Sequence, residues 1–216
     1  MRDITIVIPC RAGSTRVKNK NFKPFSDSSL LDIKVSQAKT LGLNIIINSD
    51  SDVAKSVASS NNIQFIKRPP YFASSECINS EYYEYLGNSV STTDIMILQP
   101  TAPLLKNETI KECLEEFYNN YDEYDSLVTS EFVKKFAWYN GKPINYNLGS
   151  MPNSQDLEPI IMPTYNVMLC KVKNLLECKN VITDRCNFYE ISDLESIEID
   201  TPLEFDIAEI IYDRNK

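Results

Sequence analysis

A cluster of basic and hydroxyl side chains follows the first apolar run of the chain. Residues 4–8 (Ile-Thr-Ile-Val-Ile) are mostly β-branched, and the run stops at Pro9. The next twelve residues, with one glycine, contain the groups that could bind anions: Arg11, Ser14, Arg16, Lys18 and Lys20. Forked arginine donors and lysine charges are what proteins use to hold several phosphate oxygens. The pattern predicts a polyphosphate loop after a buried strand, although a solvated basic turn would contain the same residues.

A pair of carboxylates near residue 200 could hold a divalent cation. Glu198 and Asp200 stand two positions apart in the alternating stretch 195–200, which predicts a strand with both carboxylates on one face. Carboxylate oxygens suit magnesium, which binds through one or two such groups together with substrate phosphates. Two acidic residues that simply face solvent and alternate with Ile197 and Ile199 would show the same pattern.

The composition excludes several kinds of site. The 216 residues contain no histidine, which excludes a Ser-His-Asp triad, histidine acid–base catalysis and histidine-ligated metals. The six cysteines are scattered without a Cys-x-x-Cys pair, which favours buried, reduced thiols over zinc sites or disulfides. The net charge of −8 argues against nucleic acid as a partner and makes the basic loop a local exception.

Length and hydropathy predict a single domain, residues 1–216, with an ordinary apolar fraction of 43%. The apolar runs, of about five residues, are too short to span a bilayer. The first residues enter a strand pattern without the apolar stretch of an export signal. We therefore expect a cytoplasmic protein with no membrane partner.

Predicted strands and helices alternate along the first 130 residues. Apolar runs predict strands at 4–8, 44–48, 63–66, 94–98 and 126–129. Helical spacing predicts helices at 30–43, 52–60, 80–88 and 109–118. This alternation is typical of βαβ units, so we predict an α/β fold with a mainly parallel central sheet. Because ligands bind where parallel strands end, the basic loop, Asp50 and residues 99–103 should form one site.

The second half of the chain is less regular. Residues 165–171 predict a strand, residues 172–176 the start of a helix, and residues 201–212 a final helix. Thr201 as N-cap, Pro202 at N1 and Glu204 at N3 form a capping box for that helix. Residues 131–163 are polar, turn-rich and aromatic without a clear period. We interpret them as a protruding arm for homodimerisation and the acceptor site; a floppy surface loop is the alternative.

Five short motifs occur in order along the chain. They are Arg11-x-x-Ser14-x5-Lys20-Asn21, Arg68-Pro-x-x-x-Ala73-Ser74, Leu98-Gln-Pro-Thr-x-Pro103, Gln155-Asp-Leu-x-Pro159 and Ser196-Ile-Glu-Ile-Asp-Thr201. Together they resemble the CMP-acylneuraminate (CMP-nonulosonic acid) synthetase family of cytidylyltransferases, over nearly the whole chain. The glycine motifs G-x-G-x-x-G and G-x-x-x-x-G-K-[ST] do not occur, so the nucleotide is not held in those ways.

The resemblance implies a three-layer, Rossmann-like nucleotidyltransferase fold and transfer of CMP from CTP to a sialic-acid-like nonulosonic acid, with release of pyrophosphate. It implies that Mg²⁺ binds to Glu198 and Asp200 and aligns the phosphates. The candidate catalytic residues are Arg11, Lys20 and Asp200, with Lys20 stabilising charge on the α-phosphate and pyrophosphate. The residues implied to bind the nucleotide are Arg11, Ser14, Arg16, Lys20, Asn21, Arg68, Ser74, Asn79, Gln99 and Thr101.

The chain departs from the family pattern at several positions. A cation of the basic loop is shifted to Arg16, Glu198 stands where aspartate is usual, and Leu105 stands where arginine is common. Residues 162–166 (Met-Pro-Thr-Tyr-Asn) replace a stretch that in sialic-acid enzymes often offers arginine or asparagine–glycine to the sugar acid. We therefore expect an intact nucleotide site and an acceptor pocket unlike that of sialic-acid enzymes.

Other functions are compatible with the same fold. One alternative acceptor is a phosphonate or phosphorylated small acid used to decorate surface polymers. A guanylyl- or uridylyltransferase would differ in the base-reading segment, residues 68–79. A non-catalytic nucleotide-sugar-binding protein is the remaining alternative, and the presence of Lys20, Glu198 and Asp200 argues against it.

Overall fold

A seven-stranded sheet forms the middle layer of the protein. The computed structural model describes residues 3–215. The strands are β1 (Ile4–Pro9), β2 (Asn44–Ser49), β3 (Gln64–Lys67), β4 (Asp94–Leu98), β5 (Ser126–Val133), β6 (Trp138–Tyr139), β7 (Lys142–Pro143), β8 (Ile160–Lys171) and β9 (Cys186–Glu190). The sheet order is β3–β2–β1–β4–β8–β5–β9, and β6–β7 form a separate ribbon. In the seven-stranded sheet, β8 runs antiparallel to both neighbours and the other four pairs are parallel, so the predicted mainly parallel sheet is confirmed.

Seven α-helices lie around the sheet in the part of the chain that the structure describes. They are α1 (Leu30–Lys39), α2 (Asp52–Ser60), α3 (Pro70–Ala73), α4 (Asn79–Asn88), α5 (Asn107–Asn119), α6 (Val172–Cys178) and α7 (Pro202–Arg214). One core packs α1, α2 and α5 against the sheet, and a second packs α4 and α6 against the other face. Every residue of the central strands β1 and β4 is buried, as expected for strands covered by helices on both sides.

A third core lies beside the carboxyl edge of the sheet and joins the two ends of the chain. Val17 and Phe25 of the basic loop pack there with Ile199 and with Phe205 of α7. The rings of Phe25 and Phe205 meet edge to face with centroids 5.2 Å apart, a favourable aromatic geometry. The predicted capping box of α7 is present, since Thr201 and Glu204 each accept from the other's backbone N–H. This core fixes the basic loop against the acidic segment.

The prediction of a strand at residues 195–200 is wrong. Residues 197–200 have no regular secondary structure and residues 193–196 form a turn. The Ile199 N–H donates to the Thr101 carbonyl at 2.9 Å, and the Asp200 N–H donates to Glu204 at 2.8 Å. The alternation of this segment therefore reflects burial of Ile199 in the third core and not pairing with a neighbouring strand.

Outside residues 131–163, the described part of the chain contains two short elements that the sequence pattern did not predict. Strand β9 is a five-residue edge strand paired to β5, and α3 is a single turn that begins at the second of two prolines. Both are too short for their periodicity to be recognised, and β9 depends on a partner 60 residues away in the chain (Ser126 with Cys186). None of the described helices is long and apolar enough to cross a membrane.

Residues 131–163 are partly regular, contrary to the prediction of an aperiodic arm. Residues 131–133 continue β5 and pair antiparallel with residues 160–162 of β8. Between them lie the β6–β7 ribbon and a short 3-10 helix, Ser154–Asp156. Large apolar side chains are exposed along this stretch: Phe136, Trp138, Tyr139, Ile144, Leu148 and Met151. That this arm mediates dimerisation stays a prediction.

Candidate active site

The loops that follow the parallel strands β1, β3 and β4 meet at one edge of the sheet. They enclose a cavity of about 190 Å³. Eight of the ten residues predicted to bind the nucleotide line it: Arg11, Ser14, Arg16, Lys20, Asn21, Arg68, Gln99 and Thr101. Ser74 and Asn79 do not line it. The Ser74 hydroxyl donates to the Tyr71 carbonyl at 2.7 Å at the end of α3, and Asn79 lines a neighbouring cavity.

Lys20 occupies the centre of this site and is only 9% exposed. Its ammonium group donates to the backbone carbonyl of Ile199 and lies 3.2 Å from Asp200 Oδ1. Arg16 reaches the same oxygen of Asp200 at 2.9 Å, from a side chain that is 65% exposed. One carboxylate oxygen therefore bridges two cations, and the buried ammonium has the oxygen partners that its burial requires.

The Glu198 carboxylate has a different hydrogen-bond partner from those of Asp200. Its Oε1 accepts from the Thr101 hydroxyl at 2.9 Å. Burial raises the pKa of Glu198, the Thr101 hydrogen bond lowers it, and the nearby charge of Asp200 raises it again. The two predicted metal ligands are thus close enough to influence each other electrostatically, although no strand aligns them.

The acidic pair suits a cation that completes its coordination with other ligands. No group of three or more acidic or cysteine side chains that could hold a metal ion lies within residues 3–215. Glu198 and Asp200 alone offer hard oxygen ligands beside the cations of the basic loop. Such a donor set fits Mg²⁺, which takes its remaining ligands from phosphates and water.

Arg68 is buried and held by a residue that the sequence analysis missed. Its Nε donates to the Asn48 side chain at 2.8 Å and its NH2 to the Asn48 carbonyl at 2.9 Å. The guanidinium also lies 4.6 Å from the ring centroid of Tyr82, which lines the cavity. A fully buried asparagine at the end of the apolar strand β2 was the signal that could have identified Asn48, because buried polar groups need partners.

Asp50 and helix α1 hold the loops in place. Asp50 accepts from the backbone N–H of Ala12 at 2.9 Å, which fixes the start of the basic loop. Lys34 of α1 is fully buried and donates to the Ala102 carbonyl at 3.0 Å. Gln37, one turn further along, donates to the Leu105 carbonyl. The loop at residues 99–105 is therefore tied to α1 by side chains, and Lys34 was not predicted because it occupies an ordinary helical position.

A second cavity of about 330 Å³ adjoins the first and shares Gln99 with it. Glu198 lines it together with side chains from α4, from β8 and from the segment after α6. Tyr165, from the stretch that departs from the family pattern, lines it with a backbone φ of 57°. The altered stretch is thus part of the wall of a cavity beside the residues that were predicted to bind the nucleotide.

A larger groove of about 750 Å³ lies at the other edge of the sheet, where β1 and β2 begin. Its lining is mainly asparagine, serine and threonine, with Lys39 as the only charged residue among the described ones that line it. Because it offers neither a cation cluster nor carboxylates, we place the candidate active site at the carboxyl edge.

Comparison with known proteins identifies the family. Residues 5–137 match the family model described as "Cytidylyltransferase", and the chain belongs to this family. It is 23% identical over 211 residues to the N-acylneuraminate cytidylyltransferase of Streptococcus agalactiae, covering 92% of this chain and 51% of that protein. The chain thus spans about half the length of the first relatives it matches.

Relatives of similar length also exist. The CMP-N,N′-diacetyllegionaminic acid synthase of Legionella pneumophila is 24% identical over 232 residues, covering 99% of this chain and 97% of that protein. A solved structure of CMP:2-keto-3-deoxy-manno-octonic acid synthetase complexed with CTP superposes with a TM-score of 0.73, 11% identity and 99% coverage of both chains. At this identity the structural likeness establishes the fold alone, and it confirms the predicted nucleotidyltransferase architecture.

Lys34→Met should remove a pH dependence of stability. Burial lowers the pKa of Lys34 from its ordinary 10.5 to about 7, so between these values the unfolded chain binds more protons than the folded one. The free energy of unfolding therefore rises with pH in this window, by roughly 1.4 kcal/mol per pH unit. Urea denaturation of the wild type and of Lys34→Met between about pH 7 and pH 9 should show this gain in the free energy of unfolding for the wild type only.

Lys39→Met is the matched control, since Lys39 is exposed on the same helix and its replacement should leave the gain intact. Equal pH slopes for the wild type and Lys34→Met would show that Lys34 keeps an ordinary pKa in the folded protein.

Proposed function

We propose that the protein is a CTP-dependent cytidylyltransferase that transfers CMP to a nonulosonic acid and releases pyrophosphate. The observation that carries this proposal is the cavity at the carboxyl edge, where three cations of one loop (Arg11, Arg16 and Lys20) lie beside a carboxylate. Membership of the cytidylyltransferase family supports it. Relatives named for N-acylneuraminate, diacetyllegionaminic acid and pseudaminic acid support the class of acceptor.

The basic loop would bind the triphosphate of CTP. Arg11 and Arg16 are exposed and can turn towards phosphate oxygens, whereas Lys20 is already held in place by Ile199 and Asp200. A preorganised ammonium group stabilises the charge that develops as the bond from the α-phosphorus to the bridging oxygen breaks. Lys20 therefore has the central electrostatic role, and the arginines bind the substrate.

The acceptor would bind in the second cavity, beside Gln99 and Glu198. There its hydroxyl oxygen can attack the α-phosphorus from the side opposite the leaving pyrophosphate. The hydroxyl proton needs an acceptor, and with no histidine in the chain a carboxylate would take this role.

Mg²⁺ is part of the proposal as a cofactor. Asp200 and Glu198 would hold it, and the bound ion would neutralise phosphate charge. Arg16 and Lys20, which pair with Asp200 in this structure, would then be available to phosphate oxygens. A cytoplasmic location follows from the proposal because CTP is a cytoplasmic nucleotide.

A homodimer is the further part of the proposal. The exposed apolar side chains between residues 136 and 151 support it, because large apolar groups clustered at the surface commonly mark protein interfaces. Phe136 and Trp138 each pack edge to face on Tyr146, so the arm has a small aromatic cluster of its own.

Lys20→Met should lower turnover by about 100-fold or more, the effect of losing one preorganised charge at a transition state. The measurement is pyrophosphate release from CTP in the presence of a sugar acid. Lys18→Met serves as control, because Lys18 is exposed in the same loop and does not line the cavity; it should keep near-wild-type turnover. If Lys20→Met retains full turnover while circular dichroism shows a native fold, the basic loop is not part of the mechanism.

Replacing residues 137–151 by a short Gly-Ser linker should convert a dimer into monomers. The segment has no buried side chain, so its removal should leave the sheet and its helices folded. Sedimentation velocity of the wild type and of the shortened protein measures the change in oligomeric state. A shortened protein that still sediments as a dimer would place the interface elsewhere.

A further inference from the structure

We propose that Lys179 binds the carboxylate of the acceptor and makes the protein select sugar acids over neutral sugars. This inference rests on the proposed function, because it assigns a role in the cavity that the second substrate would occupy. Its grounds are the charge of that cavity, the backbone conformation of Lys179 and the weakness of the ion pair that Lys179 makes.

The charge of the second cavity requires a cation for an acidic ligand. Glu198 lines one wall, and without a bound cation it would repel a second carboxylate that enters this space. Asn79, Ser80, Tyr83 and other neutral groups line most of the remainder; they can hydrogen-bond hydroxyl and amide substituents but cannot balance a negative charge. Among the described residues that line this cavity, Lys179 is the only lysine or arginine.

The cations of the basic loop do not fulfil this role. Arg11, Arg16 and Lys20 line the neighbouring cavity, where the triphosphate of CTP would need them. The product of CMP transfer carries both the phosphate and the carboxylate of the acid, so two separate cationic sites are needed. Lys179 is placed to be the second one.

The backbone of Lys179 is unfavourable for a lysine. Lys179 ends helix α6 in the left-handed conformation, with φ 50° and ψ 36°, a position at which glycine or asparagine is usual. The left-handed region costs a residue with a Cβ about 1–2 kcal/mol. Tyr165 of the same cavity is also left-handed, with φ 57°. Two strained residues in one wall indicate a site where side-chain function outweighs backbone preference.

The present partner of Lys179 can be exchanged for a ligand. The Lys179 Nζ lies 2.9 Å from Glu84 Oε2, with side chains 50% and 39% exposed. An ion pair as exposed as this contributes at most about 1 kcal/mol. Glu84 itself lines a different cavity, so an incoming carboxylate in the second cavity would compete only with this weak ion pair for the ammonium group.

The test compares acids with their methyl esters. Pyrophosphate release from CTP is measured with N-acetylneuraminic, N,N′-diacetyllegionaminic and pseudaminic acids, and with the methyl ester of each acid that is accepted. For Lys179→Met we expect the KM for the acid to rise at least tenfold, the usual scale for losing a charge-assisted hydrogen bond. The KM for CTP should stay within about twofold, since the nucleotide residues lie in the other cavity.

The ratio of the activity with an acid to the activity with its methyl ester distinguishes recognition of the charge from recognition of the shape. The wild type should prefer the acid, and Lys179→Met should accept acid and ester alike. Lys179→Gly should lose the preference in the same way while gaining stability, because glycine relieves the left-handed backbone. Lys173→Met is the control: Lys173 is 82% exposed on the same helix and does not line the cavity, so its preference for the acid should match that of the wild type.

Two results would overturn the inference. One is an unchanged KM for the acid in Lys179→Met. The other is an equal loss of activity with the acid and with its methyl ester, which would mean that Lys179 only shapes the cavity. Absence of pyrophosphate release by the wild type with all three acids is a different result, because it overturns the proposed function itself.

Discussion

The contact of Lys20 with Ile199 and Asp200 is the interaction on which the rest of the site depends. Lys20 is separated from Ile199 by 179 positions in the chain and from Asp200 by 180. The contact places an almost fully buried ammonium group at the carboxyl edge of the sheet. Burial of a charge is costly unless oxygen atoms compensate it. The third core, in which Phe25 and Phe205 pack together, holds the basic loop and the acidic segment close enough for that compensation. Packing and electrostatics therefore depend on each other here.

This arrangement would allow a protein with a net charge of −8 to bind an anionic nucleotide, as proposed. Three cations of the basic loop and Arg68 line one cavity, and Asp200 is shared by Arg16 and Lys20. The adjoining cavity, which shares Gln99, has one cation and one carboxylate at its wall. Two cavities of different charge that share a wall suit a reaction between a triphosphate and a smaller acid.

Sequence alone predicted the features that depend on local patterns. The buried strands β1, β2 and β4, the capping box at Thr201 and the cations of the basic loop were all recognisable from residue type and spacing. The segment 195–200 was misinterpreted, because alternation also occurs in an extended segment that is held by single hydrogen bonds such as that of Ile199. Asn48, Lys34 and Lys179 were missed because their roles depend on partners distant in sequence.

The central claim is tested most directly by measuring pyrophosphate release in the presence of Mg²⁺. Each of CTP, UTP, GTP and ATP is combined with a panel of nonulosonic acids, phosphonates and phosphorylated small acids. The claim predicts release with CTP that depends on a nonulosonic acid. Release with CTP that depends on a phosphonate or a phosphorylated acid would keep the fold and the chemistry and replace the acceptor. Binding of CTP without release in any combination would contradict catalysis and favour a nucleotide-binding protein.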